Sequence, residues 1–173
     1  IIVYRVGVCI VATHVVLPGV GAFAAAMERL RAAACVAPLI ARLRAGRPTL
    51  CVCLGLQLLC EHSEESPGVP GLGLIPGTAT RFPATVRVPQ FGWNRVTADP
   101  GCRLLHSGYA YFANSYRLAA APPDWHVART DHGGPFVAAC ERGRVLACQF
   151  HPELSGPWGL ALLQRWLTGG APC

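Results

Sequence analysis

The chain has 173 residues, of which 52% are hydrophobic and 14% charged. That balance fits one globular domain with a sizeable core and excludes a disordered chain. The net charge of +6 comes entirely from scattered arginines, with no lysine, which argues against a nucleic-acid surface. No apolar run reaches bilayer length and no charged-then-apolar leader opens the chain, so the expectation is a cytoplasmic protein with no membrane contact.

Residues Ile1 to Val11 are apolar with Tyr4 and Arg5 intervening, and they indicate no particular element. His14-Val15-Val16-Leu17 reads as a short buried strand, and Pro18-Gly19-Val20-Gly21 as the turn at its carboxyl end. From Phe23 to Ala34, Phe23, Met27 and Leu30 recur at helical spacing, with Glu28, Arg29 and Arg31 toward water. A second helix over Leu39–Ala45 stops at Gly46, with Pro48 just beyond. A strand over Thr49–Val52 and a helix over Leu54–His62 follow, then a Pro67–Gly71 loop. Short strands are predicted at Thr78–Phe82, Thr85–Val88, Arg95–Thr97, Tyr109–Tyr116, His126–Arg129, Phe136–Glu141 and Arg144–Phe150, the last two joined by Arg142-Gly143. An amphipathic helix over Gly156–Leu167 closes the chain. The alternation predicts an α/β fold with a parallel core sheet and additional antiparallel strands.

Thr49-Leu50-Cys51-Val52-Cys53-Leu54-Gly55 has the pattern of a buried strand turning sharply into a helix, with Cys53 at the corner. Backbone N–H groups at a helix start would face the sulfur and favour thiolate over thiol, and Gly55 would permit the tight turn. Such a cysteine can equally be a small hydrophobe of the core. Gln149-Phe150-His151-Pro152-Glu153 changes the balance, because a strand here delivers a histidine with a carboxylate two residues on. In extended chain these side chains share a face, and Pro152 favours that conformation at His151. Cys53 as nucleophile, His151 as base and then acid, and Glu153 as orienter form a nucleophile–base–orienter set. The loops after Leu17, Val52 and Phe150 would all lie at the carboxyl ends of parallel strands, where chemistry collects in such folds.

Nine cysteines at irregular spacing, an odd number in an apolar chain, argue against a disulfide framework. Cys9, Cys35, Cys60, Cys140 and Cys148 have apolar neighbours and read as reduced core residues. Cys51-Val52-Cys53 lacks the spacing of a zinc or redox motif, so no metal is expected. His14, His62, His106, His126 and His132 have no partner at motif spacing and read as surface or core residues.

With both motifs in view, the sequence resembles the class I, triad-type glutamine amidotransferases, whose signature is Gly-x-Cys-x-Gly-x-Gln followed later by His-Pro-Glu. Pro18-Gly19-Val20-Gly21-Ala22-Phe23, Ser63-Glu64-Glu65, Gly71-Leu72-Gly73-Leu74-Ile75-Pro76-Gly77, Gly92-Trp93-Asn94 and Tyr111-Phe112-x-x-Ser115-Tyr116 narrow it to the glutaminase subunits of imidazole glycerol phosphate synthases. The resemblance runs in order from about residue 14 to residue 167. It implies a three-layer, flavodoxin-like fold with a mostly parallel central sheet, and glutamine hydrolysis without a cofactor. It also implies a heterodimer with a (β/α)8-barrel cyclase, which uses the ammonia in histidine biosynthesis. By the same resemblance, the oxyanion would be held by the backbone amides of Leu54 and Val20. Gly21, Gln57, Glu65, Asn114, Ser115 and Tyr116 would hold the glutamine, Glu65 pairing its ammonium. Without the resemblance, Gln57 would be an ordinary helix residue and Glu64 a solvated loop residue.

The sequence departs from the family at several points. Cys51 stands where the signature has glycine; Gln90 and Asn114 where the subunit usually has histidine; and Leu154 where it usually has lysine. The stretch before the Pro18–Gly21 turn is too short for the family's opening strand and helix, so residues 1–173 read as a single amidotransferase domain, truncated at its start. A non-catalytic relative keeping only the partner surface, or an amidotransferase serving another acceptor, are the competing readings.

Overall fold

The computed structural model describes residue 7 and residues 11–170. The apolar opening stretch lies almost wholly outside the described residues, as does Cys9. Strand β1 (Val15–Leu17) leads through the glycine turn into α1 (Phe23–Ala32) and α2 (Val36–Arg44), and β2 (Thr49–Val52) returns through the centre. The second helix starts at Val36, ahead of the predicted Leu39, because Pro38 falls in its first turn, where a missing N–H costs nothing. Arg42 of α2 is buried, and its guanidinium donates to the carbonyls of Ala12, Thr13 and Pro48 and to Thr49 Oγ1, tying the entry of β1 to β2.

After a short helix α3 (Leu54–Gln57), the predicted helix to His62 does not continue; Cys60–Ser63 is strand β3 instead. Leu58, Leu59 and Cys60 are all buried, so their pattern suits either state. Their carbonyls are taken by a later segment: Leu72 N–H donates to Leu58, and those of Leu74 and Ile75 to Leu59. These long-range bonds replace the helical ladder. Strand β4 (Ile75–Arg81) pairs with β3, and the predicted strand at Thr85–Val88 is a turn between Pro83 and Pro89, which withdraw two ladder donors. The chain continues through β5 (Gln90–Ala98), β6 (Gly108–Asn114), β7 (Tyr116–Arg117), β8 (His126–Asp131), β9 (Pro135–Arg142) and β10 (Val145–Cys148). A 3-10 turn over Pro152–Leu154 and helix α4 (Gly156–Thr168) complete it. Among the described residues no helix is long and apolar enough to cross a membrane.

The main sheet has the order β1-β2-β10-β9-β8-β5-β6, and β3, β4 and β7 form a second, smaller sheet. Parallel pairing in the main sheet is confined to β1, β2 and β10; the antiparallel strands extend it further than the sequence pattern implies. Strand alternation sends Cys51 to one face, with Phe23, Met27, Leu39 and Leu43 of α1 and α2. It sends Leu50 and Val52 to the other, with Phe112, Phe136, Phe150 and the α4 residues Leu162 and Trp166. Phe112 meets Phe136 and Phe150 edge-on at 5.9 and 5.7 Å between centroids. Burial of each such ring contributes about 1.5–3 kcal/mol.

Candidate active site

The three parallel strands end level. Leu17 lies opposite Cys51, and Cys148 opposite Val52, so the loops that follow all leave one end of the sheet about one strand spacing, ~5 Å, apart. Cys53 sits at the predicted corner with φ 52° and ψ −108°, a left-handed conformation rare for a residue with a side chain. It is held there by its N–H, which donates to Cys148 O at 2.7 Å, and by its carbonyl, which accepts from Leu56 and Gln57. Strain of this kind costs on the order of 1–3 kcal/mol and marks a position that the surroundings over-determine.

Two glycines permit the crossing of the first loop over this corner. A Cβ on Gly19 would overlap the backbone of Val52 and Leu54, and one on Gly55 would overlap the Leu17 carbonyl. Gly55 is therefore needed for the close approach of another strand, rather than for the turn itself. Cys51, in place of the family's glycine, is fully buried within a regular strand and is accommodated without breaking it.

Desolvation opposes the expected thiolate. Burial pushes the Cys53 thiol up to about 11, reinforced by the Glu153 and Glu65 carboxylates. The Leu54 amide and the Gln149 side chain pull the other way but do not overcome desolvation. A four-residue α3 carries too small a dipole to reverse that outcome.

His151 lines the same cavity wall as Cys53 and is fixed by several contacts. Its backbone is extended, its N–H donates to Tyr111 O at 2.9 Å, and its Nδ1 lies 2.8 Å from Glu153 Oε1. Glu153 reaches it from the 3-10 turn rather than from extended chain, with the same pairing as result. With Nδ1 committed to the carboxylate, Nε2 is the free ring nitrogen. Ser155 fixes the assembly: its hydroxyl donates to His151 O at 2.6 Å and accepts from Tyr111 N–H at 2.9 Å.

Cys53 and His151 face a common cavity of about 390 Å³. Val20, Gly21, Leu54, Gln57, Glu65, Asn114, Ser115 and Tyr116 line it as well, so of the predicted residues Glu153 alone stands outside the wall, behind His151. The Glu65 carboxylate has one oxygen engaged: Oε2 accepts the Phe23 N–H at 2.7 Å, and Ser66 Oγ accepts that of Ala24, so together they cap α1. Glu64, expected to be solvated, accepts the Arg81 N–H and clamps β4. Gln57 uses both amide protons internally, on Tyr116 O and Gln149 Oε1, each at 3.2 Å, which leaves its own carbonyl oxygen for a ligand. Asn114 donates to Tyr116 O at 3.0 Å and lies opposite Gln90 in the β5–β6 ladder, and both are buried.

Sequence reasoning missed Gln149 and Ser155. Gln149 is fully buried at the end of an apolar strand, and a polar residue there is itself a signal, since it must find partners. Ser155 has no such local signature, because its two contacts come from distant backbone.

Residues 9–168 match the family described as glutamine amidotransferase class I. The chain is 44% identical over 164 residues to the imidazole glycerol phosphate synthase subunit HisH of Desulfitobacterium hafniense, covering 91% of this chain and 78% of that protein. It is 46% identical over 167 residues to the subunit of the same name from Deinococcus radiodurans, covering 93% and 78%. A solved structure described as a crystal structure of glutamine amidotransferase shares its fold, with TM-score 0.74, 20% identity and coverage of 97% of this chain and 84% of that one.

Proposed function

This chain belongs to the class I glutamine amidotransferases, and on that premise we propose that Cys53, His151 and Glu153 carry out its reaction in the 390 Å³ cavity. It is a glutaminase of the imidazole glycerol phosphate synthase type, hydrolysing glutamine to glutamate and ammonia and supplying the ammonia in histidine biosynthesis. The observation that carries the assignment of residues is the convergence of a strained cysteine corner and a carboxylate-held histidine on one cavity.

The proposed steps use the residues that meet at this cavity. His151 Nε2 takes the proton of the Cys53 thiol as the sulfur attacks the side-chain amide carbon of glutamine. The tetrahedral oxyanion is held by the Leu54 amide, with the Val20 amide as second donor. The imidazolium, steadied by Glu153, returns its proton to the nitrogen, the C–N bond breaks and ammonia leaves. Water then attacks the thioester with His151 again as base, and the C–S bond breaks to release glutamate and the thiol. Glutamine is positioned by its ammonium on the free oxygen of Glu65, by the Gln57 carbonyl, and by the main chain of Asn114, Ser115 and Tyr116.

The partner is a cyclase of (β/α)8-barrel fold that docks beside His151. Phe91, Trp93 and Leu154 are 64, 57 and 53% exposed there, an apolar surface flanking the catalytic base. Trp93 packs edge-on against Tyr111, 6.1 Å between centroids, and Tyr111 accepts the His151 N–H, so pressure on this surface reaches the base within two contacts. Leu154 makes the contact apolar where the family's lysine would make it charged.

The test measures glutamate release by the chain alone and with a cyclase subunit and its ligand, for the natural protein and for Cys53→Ala. Release that rises with the cyclase and vanishes in Cys53→Ala is the expected result. Undiminished release by Cys53→Ala would overturn the residue assignment, and indifference to the cyclase would overturn the partner.

A further inference from the structure

A chain of three side chains runs under the cavity floor from a backbone carbonyl to the nucleophile. Gln57 Nε2 donates to Tyr116 O and to Gln149 Oε1, and Gln149 Nε2 in turn lies 3.6 Å from Cys53 Sγ, within reach of a hydrogen bond to sulfur. The order of donors is not free. A backbone carbonyl only accepts, so Gln57 must present its NH2 group to Tyr116, and the second proton of that group then faces Gln149. Gln149 answers with its oxygen, which leaves its NH2 group turned toward the sulfur. Its backbone N–H is spent on Ala138 O at 2.8 Å, and the residue is fully buried, away from bulk water.

We propose that Gln149 is a positioning residue for the reaction: a donor whose orientation is dictated by Tyr116 through Gln57, and which stabilises negative charge on Cys53 as its proton leaves. The inference rests on the reading of Cys53 as nucleophile and extends it to a residue outside the triad. Its chemical need is plain, since the thiol is buried beside two carboxylates that both oppose its ionisation. A fixed N–H donor is worth most where the charge is formed in the step itself. The arrangement also joins substrate site to nucleophile, because Tyr116 and Gln57 both line the cavity.

Two variants separate this role from simple packing. Gln149→Leu keeps the volume and removes both polar atoms. Gln149→Glu keeps the shape and the acceptor for Gln57 but turns a carboxylate oxygen on the sulfur. Both are expected to lower kcat about 10- to 100-fold with little change in KM. Both should also slow Cys53 alkylation by iodoacetamide at pH 8, followed by peptide mapping, by about tenfold or more. With Gln149 unaltered, its side-chain NH2 resonances at pH 7 should shift on Cys53→Ala, a readout independent of whether either variant folds. If Gln149→Leu keeps full kcat, or Gln149→Glu behaves as the natural protein at pH 8, or the resonances do not shift on Cys53→Ala, the inference is overturned. Cys53→Ala run in parallel distinguishes the two levels: retained activity there would remove the nucleophile itself rather than its support.

Discussion

Gly19 lies directly on the backbone amide of Leu54, so closely that the position has no space for a Cβ. The turn after β1 and the corner after β2 therefore form one unit. Gly19→Ala must push the turn away from the elbow or distort the elbow itself. The expected loss of glutaminase rate is on the order of a hundredfold, since a displacement of about 1 Å suffices for that. Gly21→Ala is the comparison. Nothing lies within 4 Å of its would-be Cβ, and its φ of +101° makes the cost one of backbone conformation alone. A Gly19→Ala protein with natural kcat and thermal stability would show that the contact is looser than described.

Glu65 has one task in the fold and a second proposed for it in binding, and substitution can separate them. Its Oε2 caps α1 through Phe23 N–H, and its other oxygen is assigned to the substrate ammonium. Glu65→Gln can still cap but carries no charge, so KM for glutamine should rise at least about tenfold while thermal stability changes little. Glu65→Ala should raise KM equally and also cost about 0.5–2 kcal/mol, the usual effect of losing a helix cap. Equal stability of the two variants would remove the capping role. An unchanged KM in both would remove the substrate role.

The carboxylate of Glu153 is about half exposed, and the histidine it holds is also anchored through its backbone to Tyr111 and Ser155. Its loss leaves Cys53 and His151, the proposed nucleophile and base, in place. Glu153→Gln is therefore expected to cut kcat by about 10²-fold, well short of the loss in Cys53→Ala. Losses of the same size in both would give the carboxylate a more direct part in the chemistry.

Burial couples the Cys51 thiol to stability at alkaline pH. Burial raises the Cys51 thiol from an ordinary 9.0 to about 12 in the folded chain. A group whose folded pKa is raised contributes stability that is complete below pH 9 and is lost as pH climbs toward 12. Each such thiol gives a slope of about 1.4 kcal/mol per pH unit in that window. Urea unfolding at pH 7.5 and 10.5 should show Cys51→Ala less stable than the natural protein at the lower pH, because a buried atom is lost. The difference should shrink by about 2 kcal/mol at the higher pH. A difference that does not change with pH would mean that the thiol ionises in the folded state as easily as in the unfolded one.

Some of this protein was legible in local sequence alone. Cys53 at its corner, His151 with Glu153 two residues on, and the strand over Thr49–Val52 each depend on a few adjacent residues whose backbone preferences and spacing carry the information. The glycine turn after β1 was legible for the same reason, although why Gly19 must be glycine was not, since the atoms it would strike belong to residues more than thirty positions away. Tertiary structure decided the rest. It ended α3 at Gln57 by offering Leu58 and Leu59 partners from the Leu72–Ile75 segment, against a periodicity that allowed more helix. It pushed the Cys53 thiol up, because desolvation is a property of everything packed around the sulfur and outweighs a short helix start. And it joined Tyr116, Gln57, Gln149 and Cys53 into one hydrogen-bonded line, because a buried amide must take whatever partners the fold brings within reach, and no spacing along the chain encodes which those will be.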